Sequence, residues 1–194
     1  SLSGDDYTFG WNLGLLYEPT DNLRIGFSYR SSFDLTLEGR ANFTVGALDA
    51  FFGNAFVDQG GEVDLELPRM FNLSLQYEMS EKVRLMADIQ RTDWSSFKKL
   101  DIAYETGFPP NTVVPEEWED VYRYSIGGEI QVNENVVLRS GLVLDESPVP
   151  SDTLRSPRIP DEERRWIMIG FGYPTSERFK IDAVLAHILV VDPV

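Results

Sequence analysis

The chain has 194 residues, enough for one domain with a sizeable core. Its 32 acidic against 17 basic side chains leave a net charge of −15, which argues against nucleic acid as a partner and gives no polybasic anchor for an anionic membrane surface. It has no cysteine, which excludes disulfides and thiolate chemistry, and no apolar run approaches the roughly 18 residues of a membrane helix.

The first element is YTFGWNLGLLYE. Tyr7, Phe9, Trp11, Leu13, Leu15 and Tyr17 share one phase; Thr8, Gly10, Asn12, Gly14, Leu16 and Glu18 take the other. This period of two marks a sheet with two unlike faces. After the turn PTDN, LRIGFSYRSSFDLTLEGR sets Leu23, Ile25, Phe27 and Tyr29 against Arg24, Gly26, Ser28 and Arg30, and the pattern runs on to Leu37 and Glu38. Soluble strands average about 5–6 residues, whereas a tilted membrane strand needs roughly 9–11.

The third element, VDLELPRMFNLSLQYEMS, opposes Val63, Leu65, Leu67, Phe71, Leu73, Leu75 and Tyr77 to Asp64, Glu66, Asn72, Ser74, Gln76 and Glu78. Pro68 lies inside it and predicts a bulge or kink, because proline removes a ladder donor. The remaining strand candidates are VRLMADIQRTDW, DVYRYSIGGEIQV, VVLRSGLVLD, WIMIGFGY and FKIDAVLAH, giving about eight strands in all. None of these strand candidates shows a convincing helical period. The ending HILVVDPV departs from the alternation.

Connectors alternate in length. PTDN, MSEK, VNEN and PTSER are short, whereas 41–62, 105–120 and 146–165 are long. An up-and-down sheet then carries all its short turns at one end and its long loops at the other, as outer-membrane barrels do. Tyr7, Trp11, Trp94, Phe97, Tyr104, Trp118, Tyr122 and Trp166 fall near the long-loop end and Tyr17, Tyr77 and Tyr173 near the short-turn end, as two interfacial belts would. A soluble β-sandwich gives the same alternation with the aromatic face inward. Strand length and loop segregation favour an all-β, antiparallel, up-and-down transmembrane barrel.

GDDYTFGWNLGLLYEPTDNLRIGFSYRS, LPRMFNLSLQYEMSEKVRLMADIQRTDWSSF, EDVYRYSIGGEI and LDESPVPSDTLRSPRIPDEERRW together resemble the C-terminal half of the FadL family. These are bacterial outer-membrane long-chain fatty-acid transporters, with relatives that pass aromatic hydrocarbons. The resemblance implies a monomeric barrel of about fourteen strands. Residues 1–194 are then one partial barrel domain of eight strands, the sixth to the thirteenth. The N-terminal hatch, the early strands and the closing strand are expected to lie outside it. The partners implied are hydrophobic small molecules, outer-membrane lipid and, on extraction, detergent.

Site candidates follow from ligand chemistry. The loop ANFTVGALDAFFGNAFVDQGGE is too apolar for ordinary exposure; Phe43, Leu48, Phe51, Phe52 and Phe56 are candidates for an external groove, with LDAFFGNAF a short amphipathic helix. A carboxylate headgroup calls for cations, and Arg30, Arg84, Arg123 and Arg139 share the polar phase. Pairing with carboxylates such as Glu129 or Asp88 is the competing use of these arginines. Where family members can place a basic residue before EEWEDVYR, this chain has Val113, Val114 and Pro115, which favours a neutral ligand. The proline-stiffened loop with Pro148, Pro150, Arg158, Pro160, Asp161 and Arg164, ending at Trp166, reads as a structural cap. No catalytic residue, metal or cofactor is assigned. The single histidine, His187, lies on the lipid-facing phase, and no metal-ligand spacing or phosphate-binding glycine motif occurs.

Overall fold

The computed structural model describes residues 2–44, 46, 56–107, 109–155, 161–176 and 179–191. In chain order its strands are β1 (Leu2–Asp5), β2 (Asn12–Thr20), β3 (Leu23–Arg30), β4 (Phe33–Ala41), β5 (Gln59–Leu67), β6 (Met70–Ser80), β7 (Val83–Thr92), β8 (Lys99–Tyr104), β9 (Thr112–Pro115), β10 (Val121–Asn133), β11 (Val136–Asp145), β12 (Arg164–Ser176) and β13 (Phe179–Val190). All pairings are antiparallel, and they form two sheets.

The larger sheet is an eight-stranded wall ordered β13-β12-β11-β10-β7-β6-β3-β2. It contains the eight strands that alternation predicts, in the expected order, with short connectors between β2 and β3, β6 and β7, β10 and β11, and β12 and β13; the first begins at Asn12 rather than at Tyr7. In the second sheet, β1-β4-β5-β8-β9, β4 and β5 are strand extensions and β9 lies in a long connector, whereas β1 and β8 come from segments to which the alternation assigns no element. Here the expectation needs correction. The runs Leu23–Arg40 and Val63–Ser80 are not single strands. The first breaks after Arg30 and the second at Pro68–Arg69, and both halves enter different sheets. The kink expected at Pro68 is thus a change of sheet. The 105–120 connector carries β9, and β5 begins inside the 41–62 connector.

The breaks line up. Arg30 pairs with Met70, and Phe33 with Leu67, so Ser31–Ser32 faces Pro68–Arg69. The next strand breaks at the same level, where Asp93 N donates to Arg69 O at 3.1 Å and a short 3-10 turn, Trp94–Ser96, follows. An aromatic cluster packs at this joint. Trp94 and Phe97 pack edge-on against Trp118, with ring centroids 4.8 and 5.0 Å away; Phe97 and Trp118 are almost wholly buried. Ion pairs clamp the joint: Asp93 receives Arg69 and Arg91, and Arg91 also reaches Asp120 at 2.9 Å.

The register decides which face of the wall is concave. One hollow of about 750 Å³ is lined by residues from all eight strands, from Leu16 on β2 to Val184 on β13, with Arg24, Gly26, Ser74 and Asp88 between. Only a rolled sheet brings both edges to one cavity, and the polar phase lies inside. The apolar phase is outside and open: Ile126 is 62% and Leu185 68% exposed. A sandwich would bury that phase, so the soluble alternative fails. Trp11, Tyr29 and Phe71 stack along the outer face at the long-loop end, 4.9 and 5.0 Å apart, as an interfacial belt does. His187 pairs with Ile167 on this outward phase. Beyond it, β13 continues to Val190 with Ile188 on the inner phase opposite Trp166, which accounts for the broken alternation there.

Candidate functional site

At the long-loop end the rolled wall opens into a cavity of about 530 Å³. Arg30, Met70, Gln90 and Arg123 line it from the wall, and Trp118 and Pro148 from the loops. Arg30 is the last residue of β3 and Arg123 the third of β10, so both project from the inner phase just below the joint. The Arg123 guanidinium stands 5.8 Å from the centre of the Trp166 ring. Among the described residues neither Arg30 nor Arg123 has a carboxylate within ion-pair distance. Charges of both signs border the cavity: Asp145, Glu146, Asp161 and Arg164 line it as well, and Arg164 holds Asp161. Arg30 and Arg123 are thus the cavity's two arginines without an ion pair among the described residues, placed where an anionic headgroup could reach them.

The other two candidate arginines are differently engaged. Arg84 meets Glu129 at 2.7 Å and Glu78 at 3.4 Å. Arg139 meets the other oxygen of Glu129 at 2.9 Å and Asp182 at 2.7 Å, and Lys180 joins Asp182 at 3.3 Å. These six side chains form one ladder across the inner face near the short turns. Pairing, not ligand capture, occupies Arg84 and Arg139. Asp88 is not part of the ladder; it accepts hydrogen bonds from Ser74 (2.6 Å) and Asn72 (3.2 Å).

Of the external-groove candidates, Phe43 packs on Phe56 and on Tyr104, each ring centroid 5.8 Å away. Its backbone N–H donates to Asp58 at 2.9 Å, fixing the loop base. Leu48, Phe51 and Phe52, and with them the expected short helix, lie outside the described residues. Val113, Val114 and Pro115 form the edge strand β9 of the outer sheet.

The loop expected to act as a cap makes contacts of its own. The buried Pro148 accepts a hydrogen bond from the Glu119 backbone at 2.9 Å, tying this loop to the previous one, while Pro150 is exposed. Arg155 pairs with Asp152 at 3.1 Å and with Glu162. Arg164 holds Asp161 at 2.8 Å and approaches Asp145 at 3.7 Å. Arg158 and Pro160 lie outside the described residues. Trp166 is not part of the cap: it pairs with Val143 and Ile188 on the inner phase, beneath Arg123. Parity was the signal for this, since Trp166 shares its phase with Met168 and Gly170 rather than with Ile167 and Ile169.

A polar concave face, an apolar convex face, an aromatic belt and segregated loops define an outer-membrane β-barrel wall. The chain belongs to the outer membrane protein transport protein family (OMPP1/FadL/TodX), whose sequence profile matches residues 1–193. It is 31% identical over 191 residues to a long-chain fatty acid transport protein of Escherichia coli O6:H1, covering 93% of this chain and 42% of that protein. It is 28% identical to the putative outer membrane protein NMB0088 of Neisseria meningitidis serogroup B, covering 98% and 44%. Among solved structures, a Pseudomonas aeruginosa FadL homologue superposes with a TM-score of 0.80 at 24% identity, over 94% of this chain and 44% of that one. The Pseudomonas putida toluene transporter TodX superposes with a TM-score of 0.61 at 22% identity, over 91% and 43%. The chain thus spans less than half the length of each of these relatives.

Proposed function

We propose that this chain forms part of a passive outer-membrane channel for hydrophobic compounds, with long-chain fatty acids as the leading cargo. The ligand is captured among the external loops and then enters the barrel, its carboxylate received by Arg30 and Arg123. The observation that carries this reading is the pair of inward arginines at the cavity: its own carboxylates Asp145, Glu146 and Asp161 form no ion pair with either of them. Charge-assisted bonds to a guanidinium are strong where water is scarce, and the tail keeps the apolar wall. The Phe43–Phe56–Tyr104 cluster supports loop capture, because these rings gather at the base of the apolar loop. The whole barrel, with the strands that complete it, acts as a monomer and needs no catalytic residue.

A second reading has one observation in its favour. Val113 is half exposed in β9, where a cation would assist a headgroup. That departure suits a neutral aromatic hydrocarbon.

The test is uptake by cells that lack their own fatty-acid transporter and carry the full-length protein. Labelled oleate and a labelled monoaromatic are followed in parallel. Oleate uptake that falls about tenfold in Arg123→Ala, the size of one lost charge-assisted contact, supports the carboxylate route. Uptake of the monoaromatic alone moves the cargo to hydrocarbons. Uptake of neither by a correctly inserted barrel sinks the transport reading.

A further inference from the structure

The lipid-facing phase of the wall differs between its two ends. Near the short turns its positions are Tyr17, Tyr77, Ile130, Tyr173 and Ile181, and none is charged. At the long-loop end arginines join the aromatic belt. Tyr29, Phe71, Arg91 and Tyr122 form one rung across β3, β6, β7 and β10. Arg69 stands one rung above Phe71 on the same phase, and its guanidinium carbon lies 5.8 Å from the centre of that ring.

One carboxylate holds both guanidiniums side by side. Asp93 takes Arg91 Nε at 2.7 Å on one oxygen and Arg69 Nε on the other. The Asp93 side chain is 7% exposed, against 53% for Arg69 and 42% for Arg91, so the anion lies behind and the cations in front. Arg91 also spends Nη2 on Asp120. Among the described residues, neither Nη atom of Arg69 has a hydrogen-bond partner. These four charges sum to zero, so the arrangement offers contact geometry and not long-range attraction. Arg165, further along the same outward margin, is a contrast. Its Nε and Nη2 both go to Glu163, whose carboxylate is itself exposed.

Clamping the joint uses only the Nε side of Arg69 and leaves its fork facing outward. A planar fork of N–H donors matches a phosphate group, and a guanidinium fixed in advance loses little freedom on binding. One rung toward the membrane centre, Leu73, Ile89 and Tyr124 supply an apolar strip for acyl chains.

We propose that Arg69 and Arg91 form a lipid-facing clasp for the phosphate of an outer-leaflet lipid headgroup, with the lipid's chains lying along Leu73 and Ile89. Long loops of such barrels face the outside, which sets the clasp at the outer leaflet. The clasp goes beyond the transport reading and needs neither the cargo nor its route.

The test is native mass spectrometry of the full-length protein in detergent, titrated with bis-phosphorylated lipid A and, separately, with dephosphorylated lipid A. The phosphorylated form should bind about tenfold more tightly, the equivalent of one charge-assisted contact. Arg69→Gln should abolish that advantage and leave the dephosphorylated form unaffected. Arg24→Gln, on the inner phase, should change neither. Should Arg69→Gln fail the folding check on a heat-modifiability gel, the parent protein decides the matter through phenylglyoxal, which modifies accessible arginines. Bound phosphorylated lipid should then slow labelling of Arg69 severalfold and leave Arg24 as reactive as before. Equal binding of the two lipids overturns the proposal, as does an advantage that survives in folded Arg69→Gln or is lost in Arg24→Gln. Equal protection of Arg69 by the dephosphorylated lipid overturns it too.

Discussion

Arg139 on β11 reaches past β12 to hold Asp182 on β13 at 2.7 Å, and Gly172 is what lets it pass. A β-carbon on Gly172 would lie 2.7 Å from the Asp182 oxygen and 3.0 Å from an Arg139 guanidinium nitrogen. The ladder therefore crosses a strand that contributes no charged side chain to it.

Gly172→Val should break that crossing. Both partners are partly exposed, so the lost pair itself is worth little. Overpacking adds roughly 1–3 kcal/mol, and the variant should unfold at lower temperature or denaturant than the parent. The comparison is a heat-modifiability series on the full-length barrel. An unchanged transition would mean that Arg139 has another way past β12.

Glu129 serves both Arg84 and Arg139. Glu129→Gln should therefore cost more than Arg84→Met, because it weakens two contacts and leaves two cations short of charge. The difference should be modest, because Arg84 keeps Glu78, Arg139 keeps Asp182 and the side chains are partly exposed. In a double-mutant cycle the two changes should fall short of additivity. Strict additivity would show that the ladder is a set of independent pairs.

Acid should loosen the joint between the sheets. Asp120 lies just before β10, and its carboxyl is held below the ordinary aspartate range, first by hydrogen bonding with Ser95 and then by the Arg91 guanidinium. A depressed pKa contributes stability that is fully present above the unfolded value, about 3.9, and is lost as pH falls through the lower folded value. Tryptophan fluorescence should change over that acidic window, because Trp94 and Trp118 sit at the joint. Asp120→Asn should flatten the response. A response that persists in this variant would place the titrating group elsewhere.

Phe43→Ser should uncouple capture from stability. It removes ring packing on both Phe56 and Tyr104 at the loop base. Oleate uptake is expected to drop severalfold while the barrel's thermal transition stays within about 0.5 kcal/mol, the range of changes outside a main core. An equal loss of both would mark the cluster as structural only.

Much of the wall is legible in the sequence because a period of two is a local property. Tyr17, Ile25 and Leu75 state their face without reference to any partner. The change of sheet is not legible in the same way. Leu35 and Leu37 continue the phase of Phe27 and Tyr29, and nothing in the alternation marks Ser31–Ser32 as a departure into another layer. Pro68 gave the only warning. The arginines divide along the same line. All four could be placed on the polar phase, but Arg84 and Glu129 lie 45 residues apart in the chain, so their pairing exists only once the register is set. Arg30 and Arg123 differ from them only by what the folded wall puts alongside.

The aligned breaks at Ser31–Ser32, Pro68–Arg69 and Asp93 have a practical side. They give the molecule a fold line, beyond which the outer sheet is a leaf fastened by its base. The far margin of that leaf, around Gly107, carries a left-handed glycine, φ +71°, with open space about its α-carbon. A peptide spliced in there would extend away from the wall and press on neither the ladder nor the hollow. Read this way, the fold line separates a surface that tolerates rewriting from a conduit that does not, and the protein becomes a natural scaffold for displaying sequences on the outside of a bacterium.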